Sequence, residues 1–200
     1  MDFTKVKEAL EKNGFVVKVF ETAEEAADYL DKEIDNTTVG QGGSLTVSRM
    51  GIMDRLAKHN QVWSHWNVPE GMSKDEVLLK AMVTDAYLCS VNGLAESGEI
   101  INIDGTGNRV AACLFGHKRL YYVVGKNKIA PTYDEALNRA RNIAAPLNAK
   151  RLGRKTPCAV DGKCHDCNSP ERICRGLTVH WKAMMGLHTE VLLVNEDLGL

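Results

Sequence analysis

Apolar residues fall along this chain in blocks of two periods. Phe3, Val6 and Leu10 recur at helical spacing, and Asn13-Gly14 supplies a stop, which predicts a helix over 2–13. Phe15 to Phe20 is β-branched and aromatic and reads as a strand. Thr22-Ala-Glu-Glu25 is a capping box and opens a helix to about residue 33. Thr37 to Val39 is a short strand that runs into Gly40-Gln-Gly42-Gly43-Ser44, and a helix is expected from Leu45 to about Lys58. Gln61 to Trp66 is the next strand, and Asn67 to Gly71 is a turn. Ser73-Lys-Asp-Glu76 is a second capping box, for a helix to about Val83.

The second half is richer in turns. Ala86 to Ser90 reads as a buried strand, and 92–98 turns the chain so that Glu99 to Asp104 runs back as a hairpin partner. Asn108 is a candidate N-cap for a short helix through Phe115. Arg119 to Val124 is a strand, and Thr132-Tyr-Asp-Glu135 is a third capping box for a helix to about Ala145, with Pro146 ending or disrupting it. Leu177 to Trp181 and Glu190 to Val194 are the last two strands. Strands alternating with helices predict an α/β protein whose mainly parallel sheet is covered by helices on both faces, with one antiparallel excursion in the middle. Two hundred residues without a repeat suit one domain, 1–200.

Composition narrows the class. The chain is 44% hydrophobic and 26% charged, with net charge −1, so it lacks the basic footprint of a nucleic-acid or acidic-membrane binder. No apolar run reaches the length of a membrane span, and no hydrophobic segment follows Met1, so a cytoplasmic protein is expected. In that compartment clustered cysteines serve as metal ligands or redox groups more often than as disulfides.

Such a cluster exists. Cys158, Cys164, Cys167 and Cys174 fall within 17 residues with spacing C-x5-C-x2-C-x6-C, in a loop (156–176) rich in Gly, Pro, Asp and Asn. That loop has no core of its own, and four thiolates around a metal would hold it. An iron–sulfur cluster and a zinc ion both accept this ligand set, and free or paired redox thiols are the remaining reading. Lys155, Lys163, Arg172 and Arg175 would offset the thiolate charge, and His165 can replace one cysteine. Cys89 and Cys113 sit in apolar segments and read as core residues.

Two further stretches carry candidate chemistry. Gly40, Gly42, Gly43 and Ser44 lie between a strand and a helix, where open sheets bind anions, although glycines there also serve plain turns. The turns around Glu96, Ser97 and Gly98 and around Asn102, Asp104, Asn108 and Arg109 combine carboxylates with hydroxyl, amide and guanidinium groups. Arg109 can hold a small carboxylate or phosphate while Glu96 or Asp104 acts as base or nucleophile; ordinary hairpin turns use the same residue types. Trp63 and Trp66 with His65 can line a pocket, although packing at a strand end is the commoner use of such residues and is the one expected here.

The run Gly93-Leu-Ala-Glu96-Ser-Gly98-Glu-Ile-Ile, the Gly40–Ser44 loop and the final Val191-Leu-Leu-Val-Asn-Glu-Asp-Leu-Gly199 resemble the lactate-utilization (LUD) domain proteins, in particular a branch with a cysteine-rich C-terminal loop. The resemblance implies a Rossmann-like sandwich similar to the ribose-5-phosphate isomerase, glucosamine-6-phosphate deaminase and CoA-transferase superfamily. It further implies a link to oxidation of lactate to pyruvate alongside iron–sulfur redox subunits. In related CoA-transferases a glutamate is the nucleophile, and Glu96 is its analogue by neighbourhood. The expectation is therefore an accessory or electron-transfer component that binds a small anionic metabolite and a four-cysteine metal centre, with self-association left open. Two alternatives stand beside it: a self-sufficient enzyme on a small phosphorylated or acyl substrate with structural zinc, and a metal- or redox-sensing regulatory module.

Overall fold

The computed structural model describes residues 1–200. In chain order it runs α1 (Thr4–Lys12), β1 (Val16–Phe20), α2 (Ala23–Glu33), β2 (Thr38–Gln41), α3 (Leu45–Arg49), α4 (Ile52–Leu56), β3 (Gln61–Ser64), α5 (Lys74–Ala81) and β4 (Ala86–Cys89). There follow β5 (Gly93–Ala95), β6 (Ile100–Asp104), α6 (Asn108–Ala112), β7 (Arg119–Gly125), β8 (Ile129–Ala130) and α7 (Tyr133–Arg139). The chain ends with α8 (Ala145–Arg151), α9 (Pro157–Asp161), β9 (Gly176–His180) and β10 (His188–Val194).

Six strands form a parallel sheet in the order β1-β10-β7-β4-β2-β3. Its central strands are apolar on both sides, as a sheet covered twice must be: β4 is buried throughout, and β7 and β10 in all but their first residue. One face receives Ala26, Ala27 and Leu30 of α2 together with Val47, Ile52 and Leu56 of α3 and α4. The other receives Val6 and Leu10 of α1, Ala112 of α6, and Leu94 and Ile100 from a second sheet. That second sheet, in order β8-β5-β6-β9, holds the expected antiparallel excursion: the β5–β6 hairpin pairs Gly93 with Ile101. β9 then adds antiparallel to β6. Helix α7 covers its far side through Ala136 against Ala95 and Ile101. The layering is thus helices, parallel sheet, small mixed sheet, helix.

Local signals account for most boundaries. Thr22 and Ser73 accept from the backbone N–H of Glu25 and Glu76, whose carboxylates reach back to the cap backbone. At Thr132 the hydroxyl accepts from the Glu135 N–H at 3.2 Å, so the third cap also forms.

Two expectations fail and a third is met in one of its two forms, each for an identifiable reason. The helix expected over 45–58 breaks at Gly51, which adopts φ +64° and caps α4. Pro146 disrupts its helix without ending it. A π-helical turn over Ala140–Ala144 widens the coil just before it, where an α-helix would require a Pro146 N–H and would crowd the ring. The helix then continues to Arg151. Asn108 is the first residue of α6 rather than its cap, because Gly107, at φ +93°, takes the cap position.

Gly40 lies inside β2, where a Cβ would come within 2.5 Å of the Ala81 carbonyl oxygen and 2.7 Å of Thr84 Oγ1. Gly40→Ala is therefore expected to destabilise the fold by about 2 kcal/mol through overpacking against backbone, seen as a lower urea midpoint at unchanged slope.

His180 is buried, its Nδ1 lies 3.4 Å from the Tyr122 hydroxyl, and its Nε2 has no partner. Burial holds its pKa down at about 4. The folded state thus favours the neutral ring, and the unfolded state takes up the proton near pH 6.5. The stability this contributes is present above about pH 6.5 and lost as pH falls toward 4, on the order of 3 kcal/mol for a shift of this size. His180→Gln is expected to flatten stability against pH across that window, measured by urea melts at stepped pH.

Candidate functional site

Four parallel strands end on one edge of the large sheet, and their last residues run directly into a cleft of about 450 Å³. Gly43 and Ser44 follow β2, His65 and Trp66 follow β3, Ser90 and Asn92 follow β4, and Lys128 follows β7. The carboxyl edge is where open α/β sheets place ligands, because side chains and backbone donors emerge there without obstruction. The opposite wall comprises the β6–α6 turn from Ile103 to Arg109, the end of α8 with Arg151 and the nearby Arg154, and Pro170, Glu171, Arg172, Ile173 and Arg175 of the cysteine loop. The glycine loop and the cysteine loop therefore face one another across a single cleft, although more than 110 residues separate them in sequence.

Arg109 forms the floor. It is buried, and its donors are consumed within the protein. Nη1 reaches the side chain of Asn102 and, at 3.4 Å, the Ser90 carbonyl; Nη2 donates to Asn92 Oδ1 at 3.1 Å and to the Ile103 carbonyl; Nε lies 3.4 Å from Asp104 Oδ2. Asp104 is equally occupied, because its Oδ1 accepts from the backbone N–H groups of Thr106 and Gly107. Asn102, Asp104 and Arg109 are thus brought together as the sequence suggested, in a pin between the two sheets in which Arg109 is held by both of the others while the buried Asn102 Nδ2 has no partner. The glycine loop is shaped to admit this pin: a Cβ at residue 42 would stand 2.7 Å from the Tyr87 hydroxyl and 2.9 Å from Arg109 Cγ. Gly43 is the exposed glycine of the loop, next to His65, and Ser44 caps α3 by accepting from the Val47 N–H at 3.3 Å. Gly40 is buried packing within β2, and Asn108 lines the cleft.

The third candidate stretch lies elsewhere. Glu96 pairs with Lys5 at 2.7 Å, the Ser97 hydroxyl binds the Glu99 carboxylate, and Gly98 packs against Ala9 and Asn13 at the end of α1. None of the three lines the cleft. The hairpin turn 95–99 points to the opposite end of the β5–β6 pair from Asn92 and Asp104, so sequence proximity did not translate into a shared site.

Sequence reasoning missed the most unusual group in the cleft. Lys128 is buried, yet no carboxylate meets it: Nζ bonds only Thr46 Oγ1 at 2.9 Å and Ser90 Oγ at 3.0 Å. Burial, with Arg139 and then Arg109 nearby, lowers its pKa to about 7. Lys126-Asn-Lys128 reads in sequence as a polar turn, and nothing local marks its third residue as buried. His65 and Trp66, assigned to packing, line the cleft instead, with the Trp66 indole N–H donating to His65 Nε2. Trp63 does pack inward, under Lys80 at 4.7 Å. Along the lining, the basic side chains are Lys74, Arg109, Lys128, Arg151, Arg154, Arg172 and Arg175, and the acidic side chains are Asp104 and Glu171. In a chain of net charge −1 this is a local concentration of positive potential suited to an anion.

Arginine hydrogen bonds tie the cysteine loop together. Arg172 donates from Nε to the Cys174 carbonyl at 2.9 Å, from Nη1 to the Cys167 carbonyl at 2.7 Å, and from Nη2 to Asp166 at 3.0 Å. Arg175 donates to the carbonyls of Arg172 and Pro170, and Glu171 accepts from the Lys155 N–H. The four thiols are half-buried and free, and no three His, Cys, Asp or Glu side chains gather to hold a metal ion. The four thiols are a suitable donor set for zinc or for an iron–sulfur cluster, and either would require the loop to draw them together from the positions they hold. His165 pairs with Asp161 at 2.7 Å. Cys89 and Cys113 lie in the core, as expected.

The sequence profile described as the LUD domain matches residues 3–194. No curated protein matches the chain significantly. Among solved structures, the chain is similar to a DUF162 family protein from Deinococcus radiodurans, at 16% identity and a TM-score of 0.50, over 97% of this chain and 99% of that one. At that identity the likeness speaks for the fold alone, and it agrees with a Rossmann-like sandwich. No helix is long and apolar enough to cross a membrane. With the profile spanning nearly all of the chain, the protein belongs to the LUD domain family.

Proposed function

We propose that the cleft binds a small organic anion of the hydroxy-acid or oxo-acid class, and that the protein serves as a component of lactate-type oxidation. Family membership supports a role related to lactate utilization. The observation that carries the reading is the imbalance in the cleft, where seven basic side chains face two acidic ones at the carboxyl edge of a parallel sheet. Arg109 and Asp104 cancel one another and Lys128 is only partly charged near pH 7, so the charge left for a ligand belongs chiefly to Lys74, Arg151 and Arg154 at the rim. Lys74 and Arg154 are exposed, and their contribution is attraction and orientation rather than a desolvated grip.

Isothermal titration with lactate, pyruvate and inorganic phosphate checks this reading. Arg154→Gln is expected to weaken the anion that binds by roughly fivefold, the size of one partly exposed charge contact. The wild-type affinity should fall as salt rises. An affinity unchanged by both would show that the ligand does not use these cations.

The thiol loop adds an electron-transfer role. Cys158, Cys164, Cys167 and Cys174 are the residues that would hold an iron–sulfur cluster, which takes each thiolate on iron and would supply one-electron transfer to redox subunits. The reading is supported by the four-thiol donor set and by the loop's place against the cleft, while the thiols must be drawn together for a metal to bind. Protein purified without oxygen is expected to carry iron and inorganic sulfide, reduced to background by Cys164→Ser. One zinc per chain would instead assign the loop a structural role, and absence of metal would leave it as a set of redox thiols; neither result touches the anion cleft.

A further inference from the structure

The cleft contains one group that an anion-binding role does not fully use. Lys128 sits on the turn after β7, and its side chain is withdrawn from solvent. Both of its partners are hydroxyls whose own protons are committed elsewhere: Ser90 Oγ donates to the Val123 carbonyl at 2.6 Å, and Thr46 Oγ1 to the Leu198 carbonyl at 3.4 Å. Each therefore accepts from Nζ. A neutral amine has two N–H groups and one lone pair. With both N–H groups directed at Thr46 and Ser90, tetrahedral geometry leaves the lone pair at the remaining position. Lys128 lines the cleft, with Gly199 of the C-terminal segment packed beside its Nζ. No carboxylate is present to hold the group as an ammonium, and burial beside Arg139 and Arg109 keeps much of it neutral at pH 7. A buried amine with a directed lone pair is the arrangement from which lysine attacks carbonyl carbon.

We propose that Lys128 is a nucleophile that condenses with the carbonyl of a small 2-oxo acid bound in the cleft, forming an imine. The proposal rests on the anion-binding reading above, since the cationic wall is what would hold the acid's carboxylate. In the reaction the Nζ lone pair forms the C–N bond while the carbonyl π pair moves to oxygen. One amine proton transfers to that oxygen to give a carbinolamine. A further proton, from solvent, converts the hydroxyl to water, which leaves as the nitrogen lone pair forms the C=N bond. The product is a protonated imine and one water; no oxidant or reductant takes part. Arg109, already saturated by Asp104, Asn92, Asn102 and the Ser90 and Ile103 carbonyls, is a positioning residue for the floor of this site.

The test is chemical trapping. Purified full-length protein is incubated with pyruvate, treated with cyanoborohydride, and digested for peptide mass mapping, with binding of pyruvate to untreated protein followed in parallel by titration calorimetry. A single stable adduct at Lys128, absent at the neighbouring Lys126 and dependent on pyruvate, is the expected result. Lys128→Arg, which removes the nucleophile, should lose trapping by at least tenfold, while Arg154→Gln, at the rim, should weaken binding yet still give the Lys128 adduct at saturating pyruvate. If that variant fails to fold, the map of the wild-type protein decides the matter alone. Binding without an adduct at Lys128, or with adducts spread over exposed lysines, overturns the nucleophile and leaves the anion cleft standing. Neither binding nor an adduct overturns both.

Discussion

The arrangement of the two sheets depends on one buried guanidinium. Arg109 has five N–H groups in a rigid fork and cannot lose its charge, so burying it requires acceptors on every side. The structure supplies them from two places: the end of β4, through the Ser90 carbonyl, and the β5–β6 hairpin, through Asn92, Asn102, Ile103 and Asp104. The pin therefore fixes how the small mixed sheet sits on the large parallel one. Removing it would leave Asp104 without its cation and Asn102 Oδ1 without a donor, although Asp104 Oδ1 and Asn92 Oδ1 keep backbone N–H partners, a loss of several kcal/mol where a buried ion pair is broken from one side. The open cleft lies where the pin ends. Gly42 is part of the same constraint, because the space a side chain would need there is filled by Arg109 and Tyr87.

Elements governed by local chemistry were legible from sequence, and contacts between distant segments were not. Capping boxes at Thr22 and Ser73, the strand at 86–90 and the hairpin through 93–104 appear where their residues place them, since each signal acts within a few residues of itself. The break at Gly51 and the π turn before Pro146 required weighing a helical pattern against a single backbone preference. The second of these depended on packing of α7 and α8 that periodicity does not describe. The site divided in the same way. Gly43, Ser44, Asn108 and Arg109 converge, because strand ends of a parallel sheet share an edge. Glu96, Ser97 and Gly98 were grouped with them only by nearness in sequence, yet a hairpin sends its turn and its open end in opposite directions. Lys128 was invisible because burial of a turn lysine is a property of what folds over it, here the segment after β10 and the loop after β2.

The cysteine loop shows a related gap between composition and cause. A segment without an apolar core needs some other source of order, and metal ligation is one source. In this structure arginine supplies another: Arg172 and Arg175 together satisfy carbonyls of Cys167, Pro170, Arg172 and Cys174, tying the turn by charge-assisted hydrogen bonds. The same two guanidiniums line the cleft. Anything that moves the loop, whether a metal drawing the thiols together or their oxidation, must therefore move part of the wall an anion would contact. Under the proposed function, those two side chains would couple the thiol chemistry of the loop to ligand binding in the cleft.

Arg109 and Lys128 make an instructive pair, since both are cations buried at the same strand edge. For a residue whose purpose is structural, selection among side chains favours full satisfaction of every donor or replacement by an apolar group of similar shape, as the latter is often no less stable. Arg109 follows the first course: its charge is matched and its donors engaged. Lys128 follows neither. Two hydroxyls cannot neutralise an ammonium, and a methionine in its place would avoid the desolvation cost altogether. A group held in that condition contributes poorly to stability and has no counterion. The distinction between the two is thus one of remaining hydrogen-bonding capacity rather than burial, and it is on this difference that the proposal of a reactive amine at Lys128 rests.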